Sequence, residues 1–141
     1  MRRILVALDG SPRAGTVLAA ALQLAELTEA KLIAYRAIGV PPEMSSAILV
    51  GGDQLERVLE ATARAELERL VRDVPSPRLE AIETAFATPW DGICRAARER
   101  EADLIVIGSH GYHGLDRPLG TTAAKVVNHA DRNVLVVRTH L

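Results

Sequence analysis

Residues 104–122 constrain the fold of this 141-residue chain more than any other stretch: Leu-Ile-Val-Ile-Gly-Ser-His-Gly-Tyr-His-Gly-Leu-Asp-Arg-Pro-Leu-Gly-Thr-Thr. Leu104 to Ile107 are four branched apolar residues bounded by Asp103 and Gly108. That is the pattern of a strand buried on both faces, and such strands belong to parallel sheets covered by helices. Gly108, Gly111, Gly114 and Gly120 follow, with hydroxyls at Ser109, Thr121 and Thr122, and then a helical stretch from Ala123 to Ala130. Strand, glycine-rich loop and helix start together make a phosphate cradle. Glycines let backbone N–H groups approach an anion, and the helix start adds partial positive charge.

The rest of the chain repeats this alternation. Arg3 to Leu8 reads as a first strand, ending in Asp9-Gly10-Ser11-Pro12. Ser11 suits a helix cap and Pro12 a first turn, so a helix is expected from there to about Leu27. Lys31 to Ala37 is a second strand. Ile38 to Gly52 is longer than an ordinary loop, and Ile48-Leu-Val50 is apolar, so this stretch is expected to pack on its own domain or a partner, or to close over a ligand. Asp53 to Val74 is an amphipathic helix, with Glu60/Arg64 and Glu68/Arg72 as i,i+4 pairs, stopped by Pro75-Ser-Pro77. Leu79 to Phe86 is a strand alternating in part, which suits a sheet edge. Thr88-Pro89-Trp90-Asp91 is a helix start with Thr88 as cap. Asn133 to Val137 is a fifth strand, and residues 138–141 are a short tail. Helices between strands give one α/β domain over residues 1–141: a parallel sheet with helices on both faces, Rossmann-like in its three layers.

Charge and composition exclude several classes. With 17 basic and 18 acidic residues intermixed, net charge is −1, which argues against a general nucleic-acid or membrane-surface binder. No apolar run approaches the ~20 residues of a spanning helix. The start lacks the pattern of a signal peptide, and the single cysteine, Cys94, makes no internal disulfide, so a cytoplasmic location is expected. Cys94 reads as a small buried apolar residue and Trp90 as packing. Walker-type Gly-Lys-Ser/Thr is absent, the three-glycine dinucleotide fingerprint is absent, and lysine is confined to Lys31 and Lys125. Phosphoryl transfer needs a positioned cation and base, so no catalytic residue is expected; binding with slow or no hydrolysis fits better. His110 and His113 lie in the glycine loop, with Asp116 the only carboxylate near them, so no metal ligands are expected.

Three segments carry a resemblance: Ile4-Leu-Val-Ala-Leu-Asp-Gly-Ser11, Ala102-Asp-Leu-Ile-Val-Ile-Gly-Ser-His-Gly111, and Val134-Leu-Val-Val-Arg138. Together they resemble the universal stress protein family over nearly the whole chain. In ATP-binding members the loop runs Gly, two residues, Gly, nine residues, Gly-Ser or Gly-Thr. Here Gly108-Ser-His-Gly111 and Gly120-Thr121 match, with eight residues between. The resemblance, with the alternation, implies strand order 3-2-1-4-5, which makes the loops after the first and fourth strands neighbours. It implies ATP across those loops, with Mg²⁺ held mainly by the phosphates. The backbone of Gly108, Ser109, His110 and Gly111, and of Gly120, Thr121 and Thr122, would hold phosphate. Asp9 would lie by the ribose or the cation, Ala7 and Ala37 by the base, and Ser11 is counted among the nucleotide-binding residues. For Asp9 the plainer alternative is a turn aspartate that accepts from the backbone of Ser11. The resemblance also implies a regulatory role in stress response, an unidentified protein partner, and a homodimer through the last strand, Asn133 to Val137. The shorter loop and Pro118 leave two alternatives: an interaction module of the same fold without nucleotide, or a slow ATPase.

Overall fold

The computed structural model describes residues 1–39, 53–110 and 119–139. The elements run β1 (Arg3–Ala7), α1 (Ala14–Thr28), β2 (Lys31–Ile38), α2 (Asp53–Leu70), a 3-10 turn (Ser76–Arg78), β3 (Leu79–Phe86), α3 (Pro89–Glu99), β4 (Leu104–Gly108), α4 (Thr121–His129) and β5 (Asn133–Val137). All pairings are parallel and the sheet order is β3-β2-β1-β4-β5, as expected.

Each central strand buries both faces, because successive side chains alternate across the sheet. Ile4, Val6, Leu32, Ala34, Leu104 and Val106 enter one core, with Val17, Leu18 and Ala21 of α1 and Ala63 and Leu67 of α2 buried alongside the sheet. Leu5, Ile33, Tyr35, Ile105 and Ile107 enter the other, with Ile93, Cys94 and Ala97 of α3 and Val126 of α4. Cys94 is buried there, as its sequence position suggests. β3 is one edge of the sheet and β5 the other. Among the described residues no helix is long and apolar enough to cross a membrane.

Several boundaries differ from the sequence reading, each for a local reason. α1 begins at Ala14 rather than beside Ser11, because residues 9–13 form a turn first; Arg13 is its N-cap and no side chain caps it. α2 ends at Leu70, not Val74. Arg72 donates to the Arg69 carbonyl and Val74 to that of Val71, so the last turn tightens to a spacing of three before Pro75. Arg64 pairs with Glu68 at 3.0 Å, toward the helix C-terminus rather than with Glu60. Thr88 is the N-cap of α3 by position, yet its side chain makes no capping bond, and Asp91 instead meets Arg95 at 2.7 Å. α4 starts two residues before Ala123, since the Gly120 carbonyl accepts the Ala124 N–H at 3.0 Å. Of the stretch read as irregular, Ile38 closes β2, and residues 40–52 lie outside the described residues.

Candidate functional site

β1 and β4 are direct neighbours, with Ile4 beside Leu104 and Val6 beside Val106. Their carboxyl ends therefore open side by side, and in open parallel sheets ligands bind at such a switch point of strand order. Asp9 leaves the β1 end and Gly108 closes β4.

On the β1 side the turn is held by its own side chains. The Ser11 N–H donates to Asp9 Oδ1 at 2.9 Å, and the Arg13 N–H donates to Ser11 Oγ at 3.3 Å. The plainer role weighed for Asp9 is therefore occupied by one carboxylate oxygen, while Asp9 itself stays exposed. Ser11 is buried, its hydroxyl spent inside the turn. Ala7 and Ala37 both pack at the margin of the α3/α4 core, on the same face of the sheet. Asp9, Ser11 and Pro12 also line a cleft of about 400 Å³ with Leu67 and with Arg36 and Glu66, which form an ion pair at 2.6 Å.

On the β4 side one residue ties three elements together. The Ser109 N–H donates to the Val137 carbonyl at 2.8 Å, and the Ser109 carbonyl accepts the Gly120 N–H at 2.6 Å. Gly120 allows this close approach: a Cβ there would stand 3.0 Å from the Ser109 carbonyl oxygen and 3.5 Å from His110 Cα. Gly108 is similarly constrained by packing, since a Cβ would lie 2.9 Å from a Val17 methyl of α1. The two halves of the glycine motif are thus sewn together at the end of β4, with His110 half-buried beside Gly120. Thr121 is exposed and Thr122 half-buried in the first turn of α4, where no side chain caps the helix. First-turn amides of a helix have no intrahelical acceptor, so this end suits an anion. Gly111, with the rest of residues 111–118, lies outside the described residues.

Two polar groups in the motif are engaged inside the fold rather than facing the cleft. The Ser109 hydroxyl, 1% exposed, accepts the Thr139 N–H at 3.0 Å and lies 3.3 Å from Thr139 Oγ1. Gly120 turns its N–H to Ser109, not outward. Two residues were missed altogether: Thr139, read as tail, and Arg13, a cation only 4% exposed at the start of α1. Polar character alone places both outside, and only tertiary contacts bury them. Elsewhere, His129 stacks on Trp90 at 4.6 Å with Lys125 Nζ 5.9 Å from the same ring, which accounts for Trp90 as packing between α3 and α4. Among the described residues there is no group of three His, Cys, Asp or Glu able to hold a metal.

The family model for universal stress proteins matches residues 1–138. Universal stress protein A homolog 1 of Coxiella burnetii is 34% identical over 143 residues, covering 96% of this chain and 95% of that one. The solved structure of the hypothetical protein MJ0577 superposes with a TM-score of 0.85 at 20% identity, covering 99% of this chain and 97% of that one. A universal stress protein solved in complex with cAMP superposes with a TM-score of 0.68 at 24% identity, covering 99% and 98%. A family match over nearly the whole length and a curated relative above 30% identity agree: the chain belongs to the universal stress protein family.

Proposed function

We propose that this protein binds an adenine nucleotide, ATP with Mg²⁺ held by its phosphates, across the carboxyl ends of β1 and β4, and acts as a nucleotide-dependent regulatory domain in stress response. The observation that carries the reading is the Gly120–Ser109 bond, which sets the start of α4 against the end of β4. The first-turn amides of α4, at Thr121 and Thr122, would then meet phosphate oxygens together with the backbone of His110 and Gly111, since the Ser109 N–H is already given to Val137. Asp9, exposed at the neighbouring strand end, would meet the ribose or the cation, and Ala7 and Ala37 would border the base. Among the relatives, a cAMP complex supports an adenine nucleotide as the ligand class. The role in stress response rests on family membership alone. We also infer a homodimer through β5, an apolar strand at the sheet edge.

The test is calorimetric titration with MgATP, AMP and cAMP, with thermal unfolding alongside. Ligand at 100 times its Kd stabilises the fold by about 2.7 kcal/mol, a shift of several degrees. Gly120→Val forces a side chain into the Ser109 carbonyl and should abolish binding. No heat and no shift with any adenine nucleotide would overturn the reading. One observation favours a second reading, an interaction module without nucleotide: the Gly120 amide and the Ser109 hydroxyl are both engaged within the fold. A 260 nm excess in the absorbance of the unheated protein favours the nucleotide binder; no excess together with no thermal shift by MgATP favours the module.

A further inference from the structure

The segment after β5 is joined to the start of the glycine motif by a buried ring of hydroxyl and backbone groups. The Thr139 N–H donates to Ser109 Oγ at 3.0 Å, Ser109 Oγ and Thr139 Oγ1 are 3.3 Å apart, and Thr139 Oγ1 donates to the His110 carbonyl at 3.4 Å. These bonds have one consistent set of protons. Ser109 Oγ accepts from the Thr139 amide and donates to Thr139 Oγ1, which donates on to His110. Both hydroxyls are shielded from water, at 1% and 4% exposure for Ser109 and Thr139, so water does not readily replace a lost partner. The Thr139 methyl completes the packing: a Cβ at Gly108 would lie 3.5 Å from it.

The same Ser109 holds Gly120 by its carbonyl and Val137 by its amide. Its backbone therefore fixes the start of α4, and its side chain fixes the tail. We propose that Thr139 is a positioning residue for the nucleotide site. The latch between Ser109 and Thr139 holds Ser109 and His110 in the one orientation that lets the Ser109 carbonyl capture Gly120, and so sets where the first-turn amides of α4 stand relative to the end of β4. The part concerning nucleotide rests on the adenine-nucleotide reading above; the part concerning geometry does not. A consequence is that the end of the edge strand, Ser109 and the start of α4 form one unit, so whatever pulls on the chain after Val137 changes the grip on phosphate.

The experiment compares wild type, Thr139→Val and Thr139→Ser. Valine keeps the shape and loses the hydroxyl, whereas serine keeps the hydroxyl and loses the methyl. In the ligand-free protein, amide hydrogen exchange at Gly120 should quicken at least tenfold in Thr139→Val, with Leu5 and Val106 unchanged, and should return near wild type in Thr139→Ser. Titration with MgATP should show about tenfold weaker binding for the valine variant and recovery for serine. Unchanged exchange at Gly120 overturns the latch. Equal acceleration at Leu5 and Val106 marks a general loss of stability and overturns it as well. Wild type that binds no adenine nucleotide defeats the nucleotide reading, while exchange at Gly120 still decides the latch. Quickened exchange with undiminished affinity overturns the link between them.

Discussion

Tyr35 sits 1% exposed in the α3/α4 core, with its hydroxyl beneath α3. Gly92 makes the room: a Cβ there would collide with that hydroxyl and lie 2.8 Å from Ala87 Cβ. Burial, and after it the Glu83 carboxylate, pushes the phenol up to about 12, against an ordinary value of 10.0. The native state therefore keeps this proton over a range in which the unfolded chain has lost it. Stability from the neutral phenol is complete below about pH 10 and is lost as pH rises toward 12, a total on the order of 2–3 kcal/mol. Urea midpoints for wild type and Tyr35→Phe should keep a constant difference up to pH 10, and the wild type should then fall faster. Parallel curves to pH 12 would mean that the hydroxyl is solvated. Other groups titrate in both proteins and cancel in the comparison.

The helices show one device used twice. α1 ends at Glu29, left-handed at φ 56°, and the Ala30 N–H returns to the Ala25 carbonyl at 2.9 Å; α3 ends likewise, with Glu101 at φ 54° and the Ala102 N–H returning to Ala97 at 2.9 Å. In each case an arginine placed before a later strand reaches back to the same two carbonyls. Arg78 Nη1 donates to Ala30 at 2.8 Å and to Ala25 at 3.5 Å, and Arg132 Nη1 donates to Ala97 and Ala102 at 2.8 Å each. The guanidinium adds a charged donor to a helix-end carbonyl that already accepts a backbone N–H, serves the carbonyl after the turn, and opposes the negative end of the helix dipole. Arg132→Ala should cost about 1.5–3 kcal/mol in chemical denaturation, the usual range for charged hydrogen bonds. A cost below half a kcal/mol would show water serving those carbonyls equally well. Neither arginine was legible in the sequence, where each is one charge in a loop. The strands were legible, because runs such as Leu104 to Ile107 must be buried on both faces whatever surrounds them. The strand order was legible partly from alternation and partly from the resemblance. The Ser-Pro signal at residues 11–12 misled about the start of α1, since the serine hydroxyl closed a turn instead of capping the helix. Ser109 was singled out as a nucleotide contact, whereas its hydroxyl faces Thr139, a contact 30 residues away in sequence that no local pattern reveals.

For the molecule as a whole, the open question set by the fold is what covers β5. The Val137 carbonyl faces β4, where it accepts the Ser109 N–H. Backbone groups of successive strand residues alternate in direction, so those of Val134 and Val136 turn to the outer edge, which no described strand pairs. Side chains add to the exposure. On the α1 face, Leu135 is 40% exposed although Val137 joins the core beside it; on the opposite face, Val127 of α4 is 46% exposed. An apolar strand with a free edge invites pairing with a second copy, and lysine on an edge strand opposes it. Wild type should sediment as a dimer of the 15.2 kDa chain at micromolar concentration, and Leu135→Lys as a monomer. Since association stabilises only the folded state, tenfold dilution should lower the melting temperature of the wild type and leave that of Leu135→Lys unchanged. A wild-type melting temperature independent of concentration, with sedimentation at monomer mass, would mean that the edge is covered from within the chain. In that case any pull on the Thr139 latch would have to come from a different protein rather than from a second copy.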